Sequence, residues 1–339
     1  MNIDKSIIRD QLSSYLILDK MDLFAQARNM RNSCWGNKIF VYGFLYLSTF
    51  CRNNCSFCQY RSSNFKEERY RKSLPELLEA GRRLADDGVH LLDLTLGEDP
   101  YYVSEENFSR LEEIVGELHV KIGLPIMVSP GVISKEQLLK LYKAGASWYA
   151  CYQETHDVSL FSSLRLGQDF QVRKQARLNA KEAGLLVEDG LLTGVGENDD
   201  MLVHSLIEMY EEPLSQVRAM SYVPHECTIS LHAGNTMEER RLHELKAIAM
   251  MRIIMPNKCI PASLDVDGLE GLEMRLQAGA NIVTSVVPSG RGFAGVASKE
   301  LDIENENRSV RAVRKKVEEL GLKLASPEEY SKWVKEQTL

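Results

Sequence analysis

The sequence has no apolar run approaching ~20 residues, so no helix spanning a membrane is expected. Basic charge is not in excess. The 41 Lys and Arg stand against 48 Asp and Glu, a net charge of −7 that argues against a nucleic-acid-binding surface. The opening Met1-Asn2-Ile3-Asp4-Lys5 has neither the basic start nor the apolar core of a secretory signal. There is no sequence repeat, low-complexity tract or linker, so no repeat architecture is expected. The seven cysteines are odd in number and three are clustered, which favours metal ligation in a reducing compartment over a disulfide framework. A cytoplasmic protein is expected. Its 339 residues, 44% hydrophobic and 26% charged, suffice for one large α/β barrel or two ordinary domains.

The cysteine cluster organises the rest. Cys51, Cys55 and Cys58 read C-x₃-C-x₂-C and directly follow Ile39–Thr49, a β-branched and aromatic run too apolar for a loop. They therefore fall at the C-terminal end of an early strand, where α/β folds place chemistry. Three close thiolates suit soft iron or zinc. A structural zinc site normally takes four ligands, and no second C-x₂-C or H-x₃-H lies nearby. An ordinary [4Fe–4S] cluster also takes four thiolates, so three would leave one iron open to a small molecule. Structural zinc or unliganded thiols remain the plainer alternatives.

Residues 3–33 read as two short helices broken at Asp19–Asp22, a helical lid for the barrel bottom. Strand patterns follow at 39–48, 90–95, 125–129, 147–152, 187–193, 217–223, 259–264 and 281–286. Helical patterns separate them at 74–87, 104–118, 134–145, 169–184, 200–210, 236–253 and 267–278, many ending at Gly before an apolar run. Eight alternating units predict an α/β fold, a complete (β/α)8 TIM barrel. Residues 1–36 would cap it, 37–300 form it, and 301–339 pack on it as helices without chemistry of their own.

Polar residues at the ends of barrel strands line active sites. Asp93 alternates with apolar neighbours on the second strand, and an interior carboxylate needs a partner, either a salt bridge or a substrate ammonium. Gly97-Glu98-Asp99 follows. Glu154 ends the fourth strand, and Arg173 would be a solvated helix residue if nothing else pointed to it. Arg165 is left unassigned. Gly194-x-Gly196 permits either a flat ligand or a tight turn. Arg218 alternates on the sixth strand, and Ser263 and Asp265 share one side of the seventh. Two carboxylates, a guanidinium and a hydroxyl would suit a zwitterionic amino acid.

With these residues in hand, the cysteine loop, with Phe57 before its last cysteine, resembles that of the radical S-adenosylmethionine (SAM) enzymes. The resemblance implies a [4Fe–4S] cluster on Cys51, Cys55 and Cys58, whose open iron chelates SAM and cleaves it to a 5′-deoxyadenosyl radical. Gly97-Glu98-Asp99 resembles the Gly-Gly-Glu element that binds the SAM amino group through backbone carbonyls, with one glycine kept. By the same resemblance Glu154 would bind the SAM ribose or amino group and Arg173 its carboxylate, while Gly194, by its own spacing, would leave room for a flat ligand such as adenine. An electron donor such as flavodoxin or ferredoxin is implied as a partner.

A narrower resemblance covers residues from about 30 onward. Asp93–Tyr102, Gly123–Gly131, Tyr152–Thr155, Glu188–Gly196, Ile260–Asp265 and Gly279–Ser285 are similar to the methylornithine synthase (lysine mutase) family that begins pyrrolysine biosynthesis. This implies rearrangement of L-lysine to (3R)-3-methyl-D-ornithine by hydrogen abstraction, fragmentation and recombination, with no catalytic residue beyond the cluster and SAM. Asp93, Arg218, Ser263 and Asp265 would hold the amino acid. One stretch departs from the family's Gln-Glu-Gly-Thr-Pro-like turn: Pro224-His225-Glu226-Cys227 through Leu231. His225 and Cys227 are either local replacements or the mark of a different amino-acid substrate. Two other readings stay open: a SAM-cleaving barrel of the biotin synthase and hydrogenase-maturase type with another small substrate, and a non-catalytic metal-binding barrel. Cys34, Cys151, Cys227 and Cys259 share no motif that would hold a second cluster.

Overall fold

A computed structural model of the chain describes residues 5–224, 236–288 and 307–338. Two helices, α1 (Lys5–Ile17) and α2 (Lys20–Trp35), precede the barrel. The break between them is set by Asp19, whose carboxylate caps α2 by accepting from the Met21 N–H. The strands are β1 (Lys38–Ser48), β2 (Leu91–Leu96), β3 (Ile126–Ser129), β4 (Trp148–Ala150), β5 (Leu186–Thr193), β6 (Gln216–Ser221), β7 (Pro261–Ser263) and β8 (Ile282–Val286). Between them run α3 (Leu74–Asp87), α4 (Pro100–Val103), α5 (Phe108–Ile122), α6 (Lys135–Ala144), α7 (Val158–Leu164), α8 (Phe170–Glu182), α9 (Asp199–Glu211), α10 (Met237–Ile254) and α11 (Gly268–Gln277).

Local chemistry explains the helix limits. Ser73 and Glu76 form a capping box for α3, and Ser134 and Gln137 one for α6. Each of these helices ends at a left-handed glycine, Gly88 and Gly145. The helix expected at 104–118 is α5, which starts at Phe108 and runs on to Ile122, and a separate turn capped by the Asp99 side chain, α4, precedes it. Helix α7 carries no long apolar stripe and escapes a periodicity reading.

All eight strands are parallel, in the order β6-β5-β4-β3-β2-β1-β8-β7. The seam between β6 and β7 is joined among the described residues by one bridge, Gln216 to Cys259, at the N-terminal ends of the strands. The barrel is thus tied at its base and parted toward the strand C-termini, where the site lies. The base is sealed chiefly by the C-terminal tail rather than by the N-terminal helices. After α12 (Val310–Glu319), β9 (Lys323–Leu324) pairs with Lys38–Ile39, and α13 (Pro327–Thr338) follows. Tyr330 of α13 meets Tyr42 inside the barrel at 2.7 Å between hydroxyls, and Trp333 stacks on Trp148. Helices α1 and α2 lie along α9, α10 and α11 instead, with Arg31 donating to Leu276 O at 2.7 Å. The tail wins that place because its aromatic residues fill the barrel mouth, burial of the kind that dominates such packing.

Candidate active site

The loop after β1 has no regular structure and is held by backbone acceptors. The Arg69 guanidinium donates to Thr49 O, Tyr60 O, Arg61 O and Asn64 O, which ties both ends of the loop together. Cys51, Cys55 and Cys58 sit close enough that Cys55 acts on the thiols of the other two. Burial pushes the Cys58 thiol up to about 12, with Cys55 the next cause, and Cys51 is raised by burial as well. Three N–H donors aim at these sulfurs: Gln168 Nε2 at 3.1 Å and Arg165 Nη1 at 3.6 Å from Cys55 Sγ, and Asn53 N at 3.5 Å from Cys51 Sγ.

A cavity of about 310 Å³ opens beside the thiols at the C-terminal end of the barrel. Its wall includes all three cysteines, Phe57, Gly97, Glu98, Glu154, Arg173, Arg218 and Asp265. Glu98 is buried, and burial disfavours its charge. Arg173 Nη1 at 3.1 Å, the Val132 N–H at 3.1 Å and Arg52 Nε at 3.1 Å outweigh that and hold it below the usual carboxylate range. Glu154 sits at φ 70°, and its carboxylate accepts from Arg165 Nη2 at 2.7 Å. Burial raises its pKa nonetheless. Arg173 is inside, donating Nε to Tyr152 O at 2.6 Å, and is not a solvated helix residue. Phe57 lies under Arg165, 5.4 Å from the guanidinium carbon to the ring centre.

Two expected cofactor contacts sit elsewhere. The Asp99 carboxylate is fully engaged by Ser48 Oγ at 2.5 Å, Arg71 at 2.7 Å and the Tyr101 N–H at 2.9 Å, outside the cavity wall. Gly194, at φ 80°, is approached closely by the Arg240 side chain, which a Cβ would meet at 2.3 Å. Its N–H is taken by Glu197 at 2.6 Å.

Deeper in the barrel, β1 alternates Tyr42, Phe44, Tyr46 and Ser48 inward, and the other strands answer with polar groups. Arg218 Nε donates to Glu188 Oε1 at 2.7 Å and Nη1 to Thr284 Oγ1 at 3.3 Å, while Nη2 has no partner among the described residues. Tyr152 steadies the same Glu188 at 3.1 Å. Asp93 lies behind the wall, held by Thr95 Oγ1 at 3.2 Å and Ser129 Oγ at 3.4 Å. Burial, then the neighbouring Glu188, pushes its pKa up to about 7, against the pull of Arg218. Asp265 accepts from Ser285 Oγ at 2.7 Å, Ser263 Oγ at 3.4 Å and Arg308 Nη1 at 2.5 Å.

Comparison with known proteins follows from this geometry. Residues 45–208 match the radical SAM superfamily. A 3-methylornithine synthase from Methanosarcina acetivorans is 42% identical over 95% of this chain and 91% of its own. The crystal structure of methylornithine synthase (PylB) superposes with a TM-score of 0.89 at 39% identity, covering 95% of both chains. The chain belongs to the methylornithine synthase family of radical SAM enzymes. The [FeFe] hydrogenase maturase subunit HydE of Thermotoga maritima is more distant, 29% identical over 89% of this chain and 86% of its own. As a radical SAM family member the chain uses a [4Fe–4S] cluster and SAM, and its residues fit both. N–H donors aimed at sulfur suit thiolates rather than neutral thiols. Gly97 keeps the floor clear, since a Cβ there would lie 2.6 Å from Phe50 O.

Among the residues assigned to the amino acid, the barrel brings Ser263 and Asp265 together and sets Asp93 near Arg218. Glu188, Tyr152, Ser285 and Arg308 escaped sequence reasoning. Glu188 had a signal, because a carboxylate inside a strand must find a cation. Arg308 had none, since it lies beyond the eighth strand in the stretch expected only to pack. A further acidic and histidine group, His156, Asp189 and Glu212, is filled by Arg177, which pairs with Glu212 at 2.9 Å. Asp189 there accepts from the Gln153 N–H at 2.7 Å, which steadies the backbone before the left-handed Glu154. Of the remaining cysteines, Cys34 is exposed, Cys151 and Cys259 are buried, and Cys227 with the 225–231 stretch lies outside the described residues. No helix among the described residues is long and apolar enough to cross a membrane.

Proposed function

We infer that the protein rearranges L-lysine to (3R)-3-methyl-D-ornithine, the first step of pyrrolysine biosynthesis. The supporting observation is the charge balance of the inner barrel beside the thiol loop. Three carboxylates, Asp93, Glu188 and Asp265, face two guanidiniums, Arg218 and Arg308, which leaves one negative charge uncompensated. L-lysine carries one net positive charge at neutral pH and restores balance.

In this reading Cys51, Cys55 and Cys58 would hold the cluster, which with SAM bound would supply the radical chemistry that removes a hydrogen atom from the substrate. Phe57, Gly97, Glu98, Glu154 and Arg173 would form the SAM side of the cavity, with Asp99 and Gly194 supporting it from behind. Arg218 would hold the substrate carboxylate through its free Nη2, fixed in aim by Glu188 and Tyr152. Asp93, Ser263 and Asp265 would receive the ammonium groups. Phe44, Leu192, Met220 and Val266 line the space between and exclude water, so two substrate fragments stay in register for recombination. No side chain is required to act as acid or base. A flavodoxin- or ferredoxin-type carrier would deliver the electron, in the reducing cytoplasm that thiolate ligation favours.

The test is anaerobic incubation of reconstituted protein with SAM, dithionite and L-lysine, read by chromatography and mass spectrometry. A lysine isomer that depends on all three is expected. Deoxyadenosine without an isomer would shift the reading to another small substrate, and no deoxyadenosine would leave a non-catalytic metal-binding barrel.

Asp93 makes this reading pH-dependent. It must be ionised to pair with an ammonium, and in the free site it is half-protonated near pH 7. Binding is therefore full above 7 and weakens below, with the apparent KM for lysine rising by about tenfold per pH unit. Glu188 and Arg218 face the same carboxylate but form their own ion pair. Kinetics from pH 6 to 8.5 should show this break and Asp93→Asn should lack it. An unchanged break in the variant would remove Asp93 from the assignment.

A further inference from the structure

Tyr46 stands at the level of the substrate cavity on β1, opposite Thr95 of β2 in the parallel register. The side chain is 4% exposed, and its hydroxyl has no hydrogen-bond partner among the described residues. Such a group inside a protein is costly and is normally satisfied. Its ring is fixed by an edge-to-face contact with Phe44, 5.7 Å between centres, so the hydroxyl cannot swing away to water.

The charges around it are acidic first. Asp265 acts on the hydroxyl most strongly, then Arg308, then Asp93. Arg308 is already spent on Asp265 Oδ1 and on Leu264 O. Arg218, Asp265 and Tyr46 all line the cavity, which gives it a guanidinium at Arg218 and an acidic corner at Asp265 and Tyr46. An amino acid whose carboxylate meets Arg218 would send its side chain toward Asp265.

We propose that the Tyr46 hydroxyl is a specificity-determining contact that accepts a hydrogen bond from the side-chain ammonium of the substrate, beside Asp265. The proposal deepens the lysine mutase reading and rests on it. It explains why the hydroxyl is kept where nothing among the described residues pairs with it. A phenylalanine would pack equally well and would spare the protein an unpaired buried oxygen. The site discriminates by what its polar atom lacks without the ligand: an amino acid ending in a methyl group leaves the hydroxyl unpaired.

Tyr46→Phe removes one oxygen and keeps the ring, so it tests the contact directly. Calorimetric binding of L-lysine and of L-norleucine is compared on reconstituted, SAM-loaded wild-type and variant protein. Wild type should prefer lysine, and the variant should lose about 10- to 100-fold in lysine affinity with norleucine affinity little changed. Its thermal midpoint should be unchanged or higher, because an unsatisfied buried group has been removed. A purely structural hydroxyl predicts the reverse: a lower midpoint with the lysine-to-norleucine ratio intact, and that result overturns the proposal. Wild-type protein that binds lysine no better than norleucine would overturn the lysine reading itself, whatever the variant does.

Discussion

Cys55→Ala, Cys51→Ala and Cys58→Ala each lose the iron–sulfur absorbance and SAM cleavage, with iron content and deoxyadenosine at background. Loss of an outer-sphere partner of a metal ligand already costs 10- to 100-fold in metal affinity, so loss of one of three ligands should exceed ~100-fold. Of the other described cysteines, Cys34 is exposed on α2, Cys259 is at the barrel base beside Gln216, and Cys151 lines the cavity wall from the end of β4. Cys55 should be the most sensitive, because Arg165 and Gln168 both aim N–H groups at its sulfur. Gln168→Ala is the graded companion, keeping the cluster but binding it less tightly. Iron analysis and anaerobic SAM cleavage check the series, and cleavage retained by any one of the three alanine variants would overturn the ligand assignment.

The barrel was legible because its signals are local. Helices such as α3 announce their ends through residues such as Ser73, Glu76 and Gly88, and the strands are short apolar runs between them. The cysteine loop was legible for the same reason, with three cysteines inside eight residues. What escaped was set by contacts between residues far apart in the chain. Asp99 sits in a motif that reads as cofactor-binding, yet Arg71 and the cap of α4 claim its carboxylate, and no spacing reveals that competition. Gly194 read as room for a flat ligand, and Arg240 fills the room. Arg173 was legible only through the family, since a helical arginine facing solvent has the same sequence appearance as one facing Glu98. Arg308 is the clearest case. It follows Asp265 by 43 residues and reaches it only because β8 returns the chain to the top of the barrel.

Arg218→Met should spare the cluster and SAM binding yet lower methylornithine formation by roughly 100- to 1,000-fold, the usual cost of truncating one partner of a buried, hydrogen-bonded charge pair. The guanidinium is 2% exposed and bound to Glu188 and Thr284, so its removal leaves Glu188 facing Asp93 with no cation between them. That repulsion should also lower fold stability by about 3–5 kcal/mol. A mere loss of stability is separated from a lost anchor by Glu188→Gln. This variant keeps an acceptor for Arg218 Nε and removes the charge that opposes Asp93, so it should fold well. Turnover should still fall, by about tenfold, because the guanidinium is then less firmly aimed. The decisive quantity is the ratio of deoxyadenosine to isomer. If Arg218 anchors the substrate carboxylate, both variants raise that ratio, since hydrogen abstraction then proceeds on a substrate whose fragments are poorly held. If the ratio stays at the wild-type value while both products fall together, Arg218 serves the barrel alone and the carboxylate anchor lies elsewhere.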